Sequence, residues 1–541
     1  MKNISSTGSF INFYLNNYIY VDKTKYIRDL IKLERVFISR PRRFGKSLTL
    51  DTIATLFETG VEPYFKGTWI YDKWTEPTYP VLRLNFLDLD KYSLEHFKQK
   101  LNAIISSFAR DINVKNYEEK VEPEDTIYFL LDELRKEKRQ IVILIDEYDC
   151  QMTANINNET LYKQFQEKIK SFYATIKNKW PIKFLGITGV TRLKDVEIFS
   201  IGSDINDITN DSVYSQMIGF TRDEIKKYYI DYLKLAASYE NKCRVEEVTD
   251  TQIESMLDMM AQNYDGYCFD EFYKKKVFST WSVNKFFQSV VSNKFVYFGE
   301  YWYDNGGLPS ILVNYLKTHE LNIFEYLDKD KFLKVSSDDF KNPTALTTIN
   351  QNVLMCQTGY LTLRSDLNKT STVALGIPNG EIYKALNRLL ANNIFKGNTD
   401  ITDDYGRSLL EVGTVDDIIN LFNSALNSVS YDNYPIVSES SVQNMLKLYL
   451  LGAHQEVLSE VHEAKGRADL VVNTDNRRIV FEFKYAKNEA EAKSKLSEAV
   501  EQIKTRDYGN ILPKKNELIR IAAVFNADPK VRAFTENQIV P

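Results

Sequence analysis

RVFISRPRRFGKSLTLDTIATLFE, residues 35–58, opens as a short β-rich run, passes through a basic loop and ends as a good helix. The loop, Arg40-Pro41-Arg42-Arg43-Phe44-Gly45-Lys46-Ser47, matches GxxxxGK[ST] at every fixed position but the first, where Arg40 stands for Gly. A polyphosphate needs backbone N–H groups curled around it at a helix N-terminus, where the helix dipole also favours anions. Gly45 lets the backbone approach, Lys46 brings a point charge to the β/γ-phosphates, and the Ser47 hydroxyl suits Mg²⁺. The candidate nucleotide-contacting residues are Arg43, Phe44, Gly45, Lys46, Ser47 and Leu48, with ATP and Mg²⁺ as the expected ligands. Arg40, Arg42 and Arg43 add unusual positive charge, free to clamp phosphates, meet a partner subunit or stay in solvent.

Working outward, YPVLRLNF (79–86), QIVILID (140–146) and IKFLGITGV (182–190) are further β-rich runs separated by helical stretches. Strand–helix alternation predicts a parallel sheet covered by helices. Asp146 and Glu147 end the second of these runs, about 100 residues after the loop. There an aspartate would hold Mg²⁺ and a glutamate would orient and deprotonate the attacking water. Thr188 ends the next strand, where a hydroxyl either touches the γ-phosphate or simply caps the strand.

Composition narrows the classes. A chain of 541 residues predicts several domains. With 69 Lys+Arg against 74 Asp+Glu, nucleic acid would have to be met by a local groove rather than bulk charge. Four scattered cysteines without a CxxC pair argue against a disulfide framework or a zinc site. The start has no signal-peptide pattern and no run nears the ~20 apolar residues of a membrane span, so a cytoplasmic, non-membrane protein is expected.

From residue 219 the pattern turns helical, with Thr221 and Glu224 spaced as a capping box. YLTLR (360–364) and TVALG (372–376) flank a polar turn and predict a hairpin that, after helices, suits a winged-helix-like module. Gly306-Gly307 marks a turn. In the tail, Asp469 in ADLVVN and Glu482 in IVFEFKY fall on two strands joined by TDNRR. A hairpin of that length sets the two carboxylates opposite one another, and the two-residue period puts Lys484 on Glu482's face. Two carboxylates able to bind Mg²⁺, with a lysine to stabilise developing charge or activate water, suit metal-assisted phosphodiester cleavage. The tail from 438 holds 16 Lys/Arg against 15 Asp/Glu, so no basic surplus marks a DNA groove.

The segments YIYVDKT (18–24), FISRPRRFGKSL, VILIDEYD, FLGITGVTR and YSQMIGFTRDEI (214–225) resemble an AAA-ATPase-like family. In that family Arg replaces the first Gly of the phosphate-binding motif. The order GRAD, turn, EFK, helix resembles the PD-(D/E)xK nuclease superfamily, the usual C-terminal part of such chains. That resemblance implies a catalytic role for Gln502 in the following helix and a further metal-binding acid, Glu439 or Glu460, of which Glu439 is favoured. The expected fold is α/β: a P-loop NTPase parallel sheet, a mainly helical, winged-helix-like middle and a C-terminal restriction-endonuclease-like domain. Expected boundaries are 1–218 for the ATPase domain, 219–325 for a helical lid, 326–430 for the winged-helix-like region and 431–541 for the nuclease-like domain. The expected function couples ATP hydrolysis to a Mg²⁺-dependent nuclease acting on nucleic acid, in a chain able to form homo-oligomers. The rivals are an ATPase switch with a non-cleaving binding domain and a signalling or scaffold ATPase without nucleic acid.

Overall fold

Five strands, β1 (Arg35–Ser39), β2 (Val81–Asn85), β3 (Ile141–Asp146), β4 (Ile182–Gly189) and β5 (Asn206–Asp207), form a wholly parallel sheet in the order β2-β3-β4-β1-β5. β1 buries all five residues and β3 all but the last, as strands do when both faces of a parallel sheet are covered. Helices Lys46–Thr59, Leu94–Asp111, Pro123–Lys136 and Glu159–Ile176 connect these strands. β4 runs between β1 and β3, pairing Ile38 with Thr188 and Ile145 with Ile187. The loop after β1, Asp146 and Thr188 therefore meet at the carboxyl ends of three adjacent strands, where open α/β sheets bind ligands. The computed structural model describes every residue except 178, 194–204, 303–309, 317–318, 320–321, 344, 396–401, 454, 464–465 and 511–512. The expected turn at Gly306-Gly307 lies outside the described residues.

Helices Arg222–Tyr228, Ile230–Asn241, Asp250–Tyr264 and Thr280–Asn293 follow. The first opens on the Thr221–Glu224 capping box that its spacing predicts. Their apolar faces close on Tyr229, Leu233, Met256, Phe286 and Phe287, and Ile19 and Val21 from the N-terminal segment join the cluster. Burying each such aliphatic or Phe side chain contributes about 1.5–3 kcal/mol before chain entropy is counted. That burial fastens residues 18–21 to the helices.

A small antiparallel sheet, β6 (Leu333–Ser336), β7 (Thr362–Leu363) and β8 (Thr372–Gly376), has the order β6-β8-β7, with helices Ser337–Lys341 and Gln351–Gln357 between β6 and β7. Strand, two helices, then a hairpin whose second strand pairs with the first strand is a winged-helix arrangement. The hairpin is as its sequence predicts; β6 is an addition to it. Everything so far belongs to one compact unit, Met1–His319 with Phe332–Ile382.

The second unit, Glu320–Lys331 with Tyr383–Pro541, is built on β9 (Glu456–Glu463), β10 (Gly466–Asn473), β11 (Arg477–Ala486), β12 (Glu517–Asn526) and β13 (Ala533–Val540). The sheet order is β13-β12-β11-β10-β9; β11 and β12 are parallel and the remaining pairs antiparallel. Helix Glu489–Arg506 links the parallel pair and packs Ala499, Val500 and Ile503 on Val480 and Ala522. Phe422 of helix Val415–Asn427 packs on Phe481 of the other face. Alternation along β11 therefore turns Glu482 and Lys484 toward helix Glu489–Arg506. Among the described residues no helix is long and apolar enough to cross a membrane.

Candidate functional site

In the first unit the loop 40–47 is shaped by two left-handed residues. Arg43 has φ 69°, and Gly45, the residue before helix Lys46–Thr59, has φ 103°. At that φ a side chain is strained, so glycine is required at 45. Lys46 is buried, its Nζ 3.1 Å from the Arg40 carbonyl, 3.3 Å from that of Pro41 and 3.7 Å from the Glu147 carboxylate. Ser47 Oγ donates to Asp146 Oδ2 at 2.5 Å, and Thr188 Oγ1 donates to the other oxygen of the same carboxylate. Thr188 thus orients Asp146, a contact neither of its two sequence-based readings named. Ser47 and Asp146 together present the hydroxyl and carboxylate oxygens that suit Mg²⁺.

Glu147 stands at φ 52°, and burial lifts its carboxyl above the usual range although Lys46 opposes the shift. A carboxylate of raised basicity beside the loop is suited to take a proton from water. The neighbouring Asp149, which the sequence reading did not single out, is buried and accepts from the Thr191 N–H (2.7 Å) and hydroxyl (2.5 Å), fixing the segment that follows β4.

The three loop arginines divide. Arg40 is 1% exposed, donates to the Ser39 and Thr209 carbonyls and lies 4.1 Å over the Phe269 ring, while burial pushes its guanidinium down to about 9. It braces the loop from behind. Arg40→Gly, which restores the general motif, is therefore expected to lower stability by about 1–3 kcal/mol through the lost stack and hydrogen bonds, read as a fall in melting temperature. Arg43 donates to the Tyr301 and Trp302 carbonyls, and Phe44 packs edge-on against Tyr267, Phe269 and Trp302, so these two serve the loop with main chain. Arg42 and Leu48 line the opening.

Loop and helix start open onto a cavity of ≈ 360 Å³. Besides the loop, its lining includes the apolar side chains of Ile19 and Val21, of Met217, Ile218 and Phe220, and of Trp281. A lining that combines a polar loop with apolar side chains fits a nucleotide. Residues 18–24 and 214–225 carry the family resemblance, but nothing in their spacing joins them to Trp281. Their signal was apolar side chains in otherwise polar stretches, which local spacing cannot join.

The second unit carries a separate constellation. The β10–β11 register, Leu470 opposite Phe481, sets Asp469 at the row of Glu482. There the ladder gives way, and the Asp469 carboxylate accepts the Phe483 N–H at 2.9 Å. Lys484 Nζ lies 2.9 Å from Glu482 Oε1 and 3.3 Å from Glu439 Oε1, at the first turn of helix Glu439–Gly452. Glu482 is 0% exposed, and its Oε2 is buried without a hydrogen-bond partner. Burial, with the Asp469 charge adding to it, pushes the Glu482 carboxyl up to about 7; Asp469 is likewise raised by burial, against the Phe483 N–H. Lys484 is held above its ordinary value because Glu482 and Glu439 outweigh the effect of burial.

Asp469, Glu482, Lys484 and Glu439 are thus brought together. The Glu460 side chain lies outside the described residues. Gln502 donates to the Tyr508 hydroxyl at 3.3 Å, and Arg506 donates to the same hydroxyl at 2.9 Å while its charge also meets those of Glu482 and Asp469. Arg506, one helical turn after Gln502, went unread in the sequence. Its stem crosses Gly466 so closely that a Cβ there would lie 2.4 Å from Arg506 Cδ. Among the described residues no three His, Cys, Asp or Glu side chains form a ready metal cage. The buried, unpartnered Glu482 oxygen beside Asp469 nonetheless fits a divalent cation, which would satisfy it and displace the Lys484 ammonium as the neutralising charge.

Residues 5–199 match the family model described as Predicted AAA-ATPase, and residues 437–535 match the PD-(D/E)XK nuclease superfamily. An uncharacterized protein in the vnfD 5' region of Azotobacter chroococcum mcd 1 is 25% identical over 532 residues, spanning 95% of this chain and 94% of that one. The crystal structure of Cdc6p from Pyrobaculum aerophilum aligns over 71% of this chain and 96% of its own, at 11% identity and a TM-score of 0.25.

Proposed function

We propose that this chain, which carries an AAA-ATPase-like domain and a PD-(D/E)XK nuclease superfamily domain, hydrolyses ATP and cleaves nucleic acid phosphodiesters with Mg²⁺. For the cleaving half the supporting observation is the buried pair Glu482 and Lys484 beside the half-buried Asp469, with one Glu482 oxygen left for a cation. Asp469 and Glu482, with Glu439 alongside, would hold the cation. Bound there, it would polarise the scissile phosphate. Lys484, 2.9 Å from Glu482, stabilises the negative charge that builds on the attacked phosphate or orients the water. Arg506 adds a second positive charge on the same side.

In the other site, this reading makes loop 40–47 the Walker A cradle, with Lys46 on the phosphates and Ser47 and Asp146 on Mg²⁺. Glu147 takes a proton from the attacking water, and the apolar side chains of Ile19, Val21, Phe220 and Trp281 hold the adenine. ATP turnover acts as a switch that licenses the C-terminal site.

The test is a cleavage assay on single- and double-stranded DNA and RNA with Mg²⁺ or Mn²⁺, with and without ATP, on wild type and Asp469→Ala. Cleavage by wild type that falls at least about a hundredfold in the variant is expected. No cleavage of any form, with binding that weakens as salt rises, would replace this reading with that of a non-cleaving nucleic-acid-binding domain.

A further inference from the structure

A second cavity of ≈ 360 Å³ lies on the other side of the segment that walls the nucleotide cavity. Phe13, Ile19 and Tyr20 line both cavities and form the partition between them. The segment is anchored at both ends. Phe10 N–H, at the start of helix Phe10–Leu15, donates to Asp51 Oδ2 at 2.6 Å on helix Lys46–Thr59, and Ile19 and Val21 sit in the helical core.

The lining of this cavity is a shell of rings: Phe10, Tyr14, Tyr18, Tyr64, Tyr228 and Tyr232. Tyr14 and Tyr64 meet edge to face, their ring centroids 5.5 Å apart and their planes at 87°. Among the described residues none of Tyr14, Tyr18 and Tyr64 is stacked parallel on another ring, which leaves ring surface for a planar ligand. Lys2, Lys66 and Lys227 stand on the rim, exposed, and among the described residues none has an ion-pair partner; Lys227 lies 4.9 Å over the Tyr228 ring. The two carboxylates of the lining are Asp22 and Asp231. Asp22 is taken up by the Thr24 N–H, the Thr24 hydroxyl and the Trp69 N–H at 2.9, 2.7 and 2.6 Å, and Asp231 lies 4.0 Å from the Met1 ammonium.

We propose that this cavity is a second ligand site, separate from the triphosphate cradle, for a nucleoside monophosphate: a base held between tyrosine rings and a phosphate held by Lys2, Lys66 and Lys227. Stacking on aromatic rings is tolerant of base identity, and the lysines select for an anion. The volume lies within the range for ligand pockets and accommodates one base and one phosphate.

The test is calorimetric titration of the full chain, saturated beforehand with a non-hydrolysable ATP analogue, with AMP, GMP, CMP and UMP. At least one is expected to bind with one-to-one stoichiometry on top of the analogue. Lys66→Glu with Lys227→Glu weakens it at least tenfold, and Tyr64→Ala does likewise, while the affinity for the analogue stays the same in both. These positions are exposed or half-buried, so the variants fold, and the unchanged analogue affinity reports that. The same titration with a 5′-phosphorylated tetranucleotide tells the source of the ligand: tighter binding than the monomer assigns the site to a strand end, equal or weaker binding to the free nucleotide. No binding by any of the four up to about 1 mM, or binding indifferent to the charge reversals, overturns the proposal. So does a nucleoside that binds as tightly as its monophosphate.

Discussion

Lys46→Ala is expected to hydrolyse ATP at least about a hundredfold more slowly than wild type, because the proposed function aims its buried ammonium at the transferring phosphate. Its lost partners are the Arg40 and Pro41 carbonyls and the Glu147 carboxylate, none of which can replace a cation. Glu147→Gln removes the proton acceptor and leaves the cradle intact, so turnover falls comparably while the ATP analogue still binds. The two substitutions therefore separate binding from chemistry: weakened binding and turnover in the first, turnover alone in the second. Phosphate release and analogue titration on both variants measure this. Wild-type turnover in both would remove loop 40–47 from the mechanism. Wild-type turnover in Glu147→Gln alone would move the base elsewhere.

What the sequence disclosed of this site follows from how local each feature is. Gly45, Lys46 and Ser47 are consecutive, and Asp146 closes an apolar run, so spacing alone names them. The role of Arg40 was hidden because its partners, Thr209 and Phe269, come from distant segments. The same holds for the apolar part of the lining, whose side chains come from residues 19–21, 217–220 and 281. In the second unit the central β10–β11 hairpin was legible through its apolar alternation. β9 and β13 were not, since edge strands such as AFTENQIV carry polar residues that blur the period. Glu482 and Lys484 were placed on one face by the two-residue period, but the burial that lifts Glu482 depends on helix Glu489–Arg506 folding over that face.

That burial governs the second large effect. A carboxyl held near 7 binds its proton more tightly folded than unfolded, where it titrates near 4.3. Folded-state stability of the metal-free protein is thus favoured at acid pH and declines as pH rises from the unfolded value toward about 7. Cation binding runs the opposite way, because the ligand form of Glu482 is the carboxylate. Below 7, Mn²⁺ affinity should fall about tenfold per pH unit as one proton competes for the site, and more steeply where the raised Asp469 also protonates. Above 7 it should level off. Titration of Mn²⁺ by electron paramagnetic resonance between pH 5.5 and 8.5 reads this directly, without any need for cleavage. In Glu482→Gln the remaining binding is expected to be weak and to lose the break near 7. A wild-type affinity that is flat across the range would show that Glu482 does not ligate the ion. If the break near 7 is present while cleavage is absent, the cation site stands and only the cleaving reading falls.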